Sequence, residues 1–237
     1  MKLRSMCCLS IPALVIGAMS AGKPVTVKLD QDTYRVEWLH CEKWDAKWAS
    51  RWVVEGNADV KVKDGKLWVQ SINPSKPKAA TIWYKEDLPD NIIVQFKAKV
   101  LPPEENNAAN LNVFFHAREP DGKELQFGRS GAYAEYHKIP NYIVTLTGGA
   151  QPGWSRVRRD PGFNMLHEAE VRSEVGREYE IAVTVQKGHI RYYLNGKKWH
   201  DVQDTDPLPG GKFALRTWST NAWWEDVCFG RIISEGK

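Results

Sequence analysis

The chain predicts an all-β sandwich or jelly roll built from two antiparallel sheets, and three observations carry that prediction. Short runs of alternating apolar and polar residues recur along its 237 residues, the period of half-buried strands. Two-residue turns such as Asp64-Gly65, Lys187-Gly188 and Asn195-Gly196 separate many of them, the chemistry of tight hairpins. No long helical period and no repeat of fixed length appears, which leaves a sandwich of short strands as the architecture that buries one core.

The elements follow in order. Lys2 and Arg4, an apolar run from Met6 to Met19 and the small residues Ala18, Ser20, Ala21 and Gly22 have the order of a secretory signal. Residues 1–21 are therefore set aside as a leader and 22–237 as a single domain. The apolar run is too short to span a bilayer, and no later segment approaches that length. Val25–Val27 and Tyr34–Leu39 are β-like. Trp44, Trp48 and Trp52 recur at spacing four, an aromatic stripe on a short helix or turn that packs beneath a sheet. ADVKVKDGKLWVQS reads as a hairpin, and ATIWY and NIIVQFKAKV as half-buried strands. Pro102-Pro103 and the following asparagines break the ladder. REYEIAVTVQKGHIRYYLNGKKWHDVQD is a meander, and Phe213–Trp218 and Val227–Ile233 close the sheets.

Composition narrows the partner. A net charge of +4, falling to +2 once Lys2 and Arg4 leave with the leader, is too weak for a nucleic-acid binder, and no membrane partner is expected. Eleven Trp and eight Tyr supply flat amphipathic rings suited to sugar faces as well as to cores. Cys41 and Cys228 remain after the leader; a disulfide and two buried thiols both fit an exported protein. No nucleotide loop, nucleophile elbow or compact metal-ligand spacing occurs, so neither cofactor nor metal is expected.

The functional stretch is Leu111–His167. Alternation places Asn112, Phe114 and His116 on one strand face, and Tyr133, Glu135 and His137 on a second. A loop from Gly148 to His167 is expected to cover the cleft between them. For elimination next to a uronic carboxylate, His137 or His116 serves as base, Tyr133 or Tyr136 as acid, and Arg129, Arg158, Arg159 or Asn112 neutralises the carboxylate. Asn141, Asn164 and Trp218 complete the substrate contacts. For hydrolysis, Glu135 is the first of two required carboxyl groups and its partner is not evident.

RSGAYAEYHKIPNYIVTLTGG and RRDPGFNMLHE, with DNIIVQFKAKV and NVFFHAREPDG, resemble the YesU-like family of bacterial concanavalin-like proteins across about Trp44 to Ile233. The resemblance implies a lectin/glucanase jelly roll and a carbohydrate context, often acidic and pectin-like. The Glu-x-Asp-x-x-Glu strand of endoglucanases on this fold is absent, so that mechanism is not transferred. The expectation is an exported, periplasmic or secreted protein acting on an acidic poly- or oligosaccharide by lyase or hydrolase cleavage, with a non-catalytic sugar-binding module as the alternative.

Overall fold

The computed structural model describes residues 23–150 and 152–233; the predicted leader lies outside them. In chain order the elements are β1 (Val25–Leu29), β2 (Asp32–Cys41), α1 (Trp48–Arg51), β3 (Trp52–Gly56), β4 (Asp59–Lys63), β5 (Lys66–Gln70), β6 (Ala79–Tyr84), β7 (Ile92–Leu101) and β8 (Leu111–Ala117). They continue with α2 (Tyr133–Tyr136), β9 (Asn141–Thr147), β10 (Trp154–Asp160), β11 (Asn164–Ala169), β12 (Glu178–Gln186), β13 (His189–Leu194), β14 (Lys197–Gln203), β15 (Lys212–Trp218) and β16 (Asn221–Ile232).

Two antiparallel sheets face each other, as the alternation predicts. One runs β1-β2-β16-β7-β12-β13-β14, with β5 also paired to β16 and carrying β4; the other runs β11-β10-β9-β8-β15-β6-β3. Side chains alternate across each strand, so Leu111, Val113 and Phe115 of β8 enter the shared core with Tyr142, Val144 and Leu146 of β9, Phe213 and Leu215 of β15 and Phe96 of β7. Burying one Leu, Phe or Val contributes about 1.5–3 kcal/mol, and this repeated inward set fixes the register, since a one-residue slip would turn every member outward.

The hairpins at Asp64-Gly65, Lys187-Gly188 and Asn195-Gly196 form as expected. Trp44 and Trp52 of the spaced tryptophans are buried, their rings 5.1 Å apart, so this stripe packs the core. Glu42 anchors it, accepting from Arg51 Nη2 at 2.6 Å and Trp52 Nε1 at 2.7 Å. Cys41 and Cys228 are directly opposed on β2 and β16 and form a disulfide.

Two predicted elements are corrected. Tyr133–His137 is not a strand: Tyr133–Tyr136 is a single helical turn, and the strand begins at Asn141. In a helix, residues three apart share a side, so Tyr133 and Tyr136 both pack on Phe114, at 6.3 and 5.2 Å between ring centroids, whereas period-two reading separated them. Gly148–His167 is not a covering loop but largely the edge hairpin β10–β11. Its arginines alternate with Ser155 and Val157, which are fully buried; β10 lies between β9 and the edge strand β11, with one face packed on the core and the other, charged face on the outer side of the sheet.

The outer face of the second sheet is only half covered. The segment between β8 and β9 lays Leu125, Tyr136 and Ile139 over Trp83, Phe114, Ile143 and Ala214. Gly131 makes the close approach possible: its φ is +89°, and a Cβ there would come within 2.4 Å of the Gly56 Cα. The uncovered half of the face is a cleft, walled on one side by this segment.

Candidate functional site

Strand register builds the cleft floor. Thr81, Arg216, Asn112, Thr145 and Arg156 are successive partners on β6, β15, β8, β9 and β10, and residues in register point to the same face. Beside this row, Ala214, Phe114, Ile143 and Arg158 form the next. Trp154 rises at one side, Trp218 at the other, and Phe163, from the β10–β11 turn, overhangs the floor; the cleft measures about 890 Å³. That volume suits a ligand of several rings.

The lining carries four cations, Lys76, Arg156, Arg158 and Arg216, and no carboxylate. Arg216 is 2% exposed, donates from Nη1 to Thr81 Oγ1 at 2.5 Å and from both Nη1 and Nη2 to the Gly131 carbonyl at 3.1 Å, and lies 5.0 Å from the ring centres of Tyr133 and Tyr136. Arg156 stacks on Trp154 at 3.7 Å and pairs with Glu168 on β11. Arg158 differs from both. It is 4% exposed, its guanidinium sits 4.2 Å from the Phe163 ring centre, and it makes no side-chain hydrogen bond or ion pair among the described residues. A buried cation without an anion is costly, and burial accordingly depresses its pKa.

Around Arg158 other polar groups lack partners. His137 Nε2, Asp160 Oδ2 and the floor hydroxyl of Thr145 are buried without a hydrogen bond among the described residues. His137 stacks on Phe163 at 4.0 Å and meets Tyr133 edge-on at 4.3 Å. Desolvation lowers its pKa to about 4, with Arg158 and Arg216 acting in the same direction. Burial pushes Asp160 up to about 6, against the Phe163 N–H and Arg158, which favour its anion. Burial also raises the Tyr133 phenol, against Thr145, Arg158 and Arg216. Native structures rarely leave several buried polar groups unpaired in one place without a functional reason.

The predicted site residues divide. Asn112, Tyr133, Arg158 and Trp218 line the cleft, and His137 lies behind Tyr133 and Phe163. Glu135 is turned away from the lining by the helical geometry and accepts from the Ser130 N–H at 2.8 Å. His116 is displaced because its backbone adopts a left-handed φ of +55° at the end of β8. Its ring packs by Phe115 and Tyr142, and Nδ1 donates to the Leu208 carbonyl at 3.2 Å. His116 and His137 therefore do not converge. Arg159, one residue from Arg158, emerges on the opposite strand face and pairs with Asp204 and Asp206. Arg129 pairs with Glu119 at 2.8 Å, Asn141 donates to the Tyr136 and Ile139 carbonyls, and Asn164 donates to Pro161 O in the hairpin turn; none of the three lines the cleft. Trp218, Trp223 and Trp224 do not form a shared stacking platform for a sugar-binding module, since Trp223 and Trp224 are buried and Trp218 alone of the three lines the cleft.

Sequence reading missed Arg216, Trp154, Arg156 and Thr145. The alternation in FALRTW already put Arg216 and Trp218 on one face, a signal that could have found them.

A family model described as a domain of unknown function (DUF6250) matches residues 75–227. The chain belongs to that family. No curated protein matches it. Among solved structures, it is similar to a Bacillus subtilis protein of unknown function with a galectin-like fold, at 19% identity and a TM-score of 0.72, over 84% of this chain and 100% of that one. It is also similar to winged bean acidic lectin complexed with methyl-α-D-galactose, at 10% identity and a TM-score of 0.61 over 84% and 100% of the two chains. The carbohydrate-binding module CBM66 from Bacillus subtilis aligns at 12% identity and a TM-score of 0.53, over 74% of this chain and 92% of the module. These likenesses establish the lectin-type sandwich. Among the described residues, no helix is long and apolar enough to cross a membrane.

Proposed function

We propose that the DUF6250 chain is an exported protein that binds an acidic, uronic-acid-containing poly- or oligosaccharide in this cleft, and that it stands closest in role to the YesU-like proteins its motifs resemble. The observation that carries the reading is the buried, unpartnered Arg158 in a lining with no carboxylate. A ligand carboxylate would give that guanidinium its missing charge-assisted hydrogen bonds, while Trp154 and Trp218 offer ring faces for stacking on sugars. Asn110, Asn112, Thr145 and Thr147 add hydroxyl-matching groups. Lectins and sugar-binding modules of similar fold support a carbohydrate as the ligand, and the Cys41–Cys228 disulfide supports an oxidising, periplasmic or secreted location.

Of the two cleaving chemistries, hydrolysis needs a pair of carboxyl groups across the scissile bond, and the lining supplies none. Elimination needs a cation for the uronate and a proton carrier, for which Arg158 and Tyr133 are present. Calorimetric titration with oligogalacturonate and with its carboxyl-reduced, neutral counterpart tests the binding. The acidic ligand should bind at least about tenfold more tightly, with the difference narrowing as salt rises. Equal affinity for the two would refute the reading.

A further inference from the structure

We infer that Tyr133 is both the base and the acid of a syn β-elimination that cleaves a 4-linked uronide seated on Arg158, one whose C5–H and C4–O4 bonds lie on the same face of the ring, as in a glucuronide. This rests on the acidic-saccharide reading above and adds the chemical step. In a uronide the proton to be removed is on C5, one bond from the carboxylate carbon, so the base must stand beside the cation that holds the carboxylate. Tyr133 does: its ring lies 5.7 Å from that of Phe163, and the Arg158 guanidinium lies 4.2 Å from the same ring.

Other candidates fail on position. Among the titratable side chains of the lining, the remaining four are Lys76 and three arginines, and guanidinium does not deprotonate in proteins. Lys76 precedes β6, which stands four strands from β10 in the order β10-β9-β8-β15-β6. At roughly 4.8 Å per strand that is about 19 Å, beyond the hydrogen-bond reach a base requires. His116 is behind the sheet, and His137 is screened from the cleft by Phe163 and Tyr133. Glu135 and Asp160 do not line it.

The step balances without a co-reactant. The Tyr133 phenolate takes the C5 proton, and the electron pair of the C5–H bond passes into the carboxylate, whose added negative charge is stabilised by Arg158. The pair returns to form the C4–C5 double bond as the C4–O4 bond breaks. Tyr133 then gives its proton to the departing O4, restoring the phenolate. The products are a 4,5-unsaturated uronide and a new chain end. Around the phenol, Arg158 from β10, Arg216 from β15 and the Thr145 hydroxyl from β9 favour its ionised form, Asp160 opposes it, and His137 from its own segment is neutral above about pH 4. Burial outweighs the two guanidiniums in the empty cleft and raises the phenol, so activity should climb with pH.

The test uses the whole protein with oligogalacturonate, a glucuronate-containing oligosaccharide and an alginate-derived oligouronate, reading the absorbance of the unsaturated product and, separately, calorimetric affinity. At least one substrate should give that absorbance, with kcat/KM rising above pH 8. Tyr133→Phe, which keeps the ring packing, should lower kcat by about 10²-fold or more while changing Kd by less than about tenfold. Binding without product from all three would overturn the elimination and leave the binding reading standing. Absence of binding would overturn both. Retained turnover in Tyr133→Phe, or a pH profile flat above about pH 5 as a His137 base would give, would overturn the assignment to Tyr133.

Discussion

Replacing Arg158 by Met should weaken acidic-saccharide binding and stabilise the empty protein, two effects of opposite sign from one cause. The guanidinium is 4% exposed and has no hydrogen-bond or ion-pair partner among the described residues, so the folded state bears the desolvation of a cation without the return an anion would give. Its compensation is stacking near Phe163 at 4.2 Å and Trp154 at 5.4 Å, worth roughly 1–2 kcal/mol. Met preserves the apolar stem and removes the charge, which also relieves repulsion with Arg156. A net gain of about 1–2 kcal/mol follows, or very roughly 2–8 °C in Tm for a domain of this size. Binding moves the other way: removing one member of a buried charge pair costs about 2–5 kcal/mol, a loss of at least about 30-fold in Kd at 1.4 kcal/mol per decade. Scanning calorimetry of the empty protein and titration with oligogalacturonate read the two quantities independently. A fall in Tm of similar size with affinity intact would refute the reasoning, because Arg158 would then be holding the hairpin rather than awaiting a ligand.

Three further outcomes follow from the buried charges and the cross-link. Glu55 accepts from the Gly128 and Arg129 N–H groups at 2.7 and 2.9 Å and from Trp83 Nε1 and the Tyr136 hydroxyl at 2.8 and 2.9 Å; Glu55→Gln turns an NH2 toward two of these donors and should cost about 2–4 kcal/mol in urea unfolding, whereas a loss below 0.5 kcal/mol would show the carboxylate is dispensable. His116 and His200, both buried with pKa values lowered to about 4 by desolvation, are neutral in fold and unfolded chain alike above about pH 6.5. As pH falls from there to 4 the unfolded chain takes up protons first, so each removes on the order of 3 kcal/mol of stability. His137, lowered to about 4 in the same way, removes a similar amount, and Asp160, raised to about 6 by burial, returns about as much as one histidine because it protonates first in the fold, leaving a net loss of about 6 kcal/mol between pH 6.5 and 4; unfolding curves that are pH-independent over that window would contradict this. Replacing Cys41 and Cys228 by Ser opens a link spanning 187 residues and should lower stability by about 2–5 kcal/mol, measured by thermal unfolding, with an unchanged Tm counting against a stabilising role.

The sequence by itself determined the sandwich. Alternation in NIIVQFKAKV, LNVFFHA and FALRTW has period two whatever surrounds it, because successive strand side chains must point to opposite faces, and Asp-Gly, Lys-Gly and Asn-Gly turns close hairpins through local backbone preference alone. It also singled out Asn112, Tyr133, Arg158 and Trp218, which the fold brings to the lining of one cleft. Short segments were less legible: GAYAEYH satisfies a strand's alternation and one helical turn's i,i+3 pairing equally, and contact of Tyr133 and Tyr136 with Phe114 selected the helix. Only the tertiary structure decided which arginine faces the cleft, since Arg158 and Arg159 are indistinguishable until the β9–β10 register sends one outward and the other to Asp204. It likewise set Arg216 beside Tyr133 across 83 residues of chain, and turned His116 from the cleft by one left-handed φ. Local periodicity fixes a face within a strand; which faces meet, and which cation is left there without an anion, depends on contacts between residues far apart in the chain.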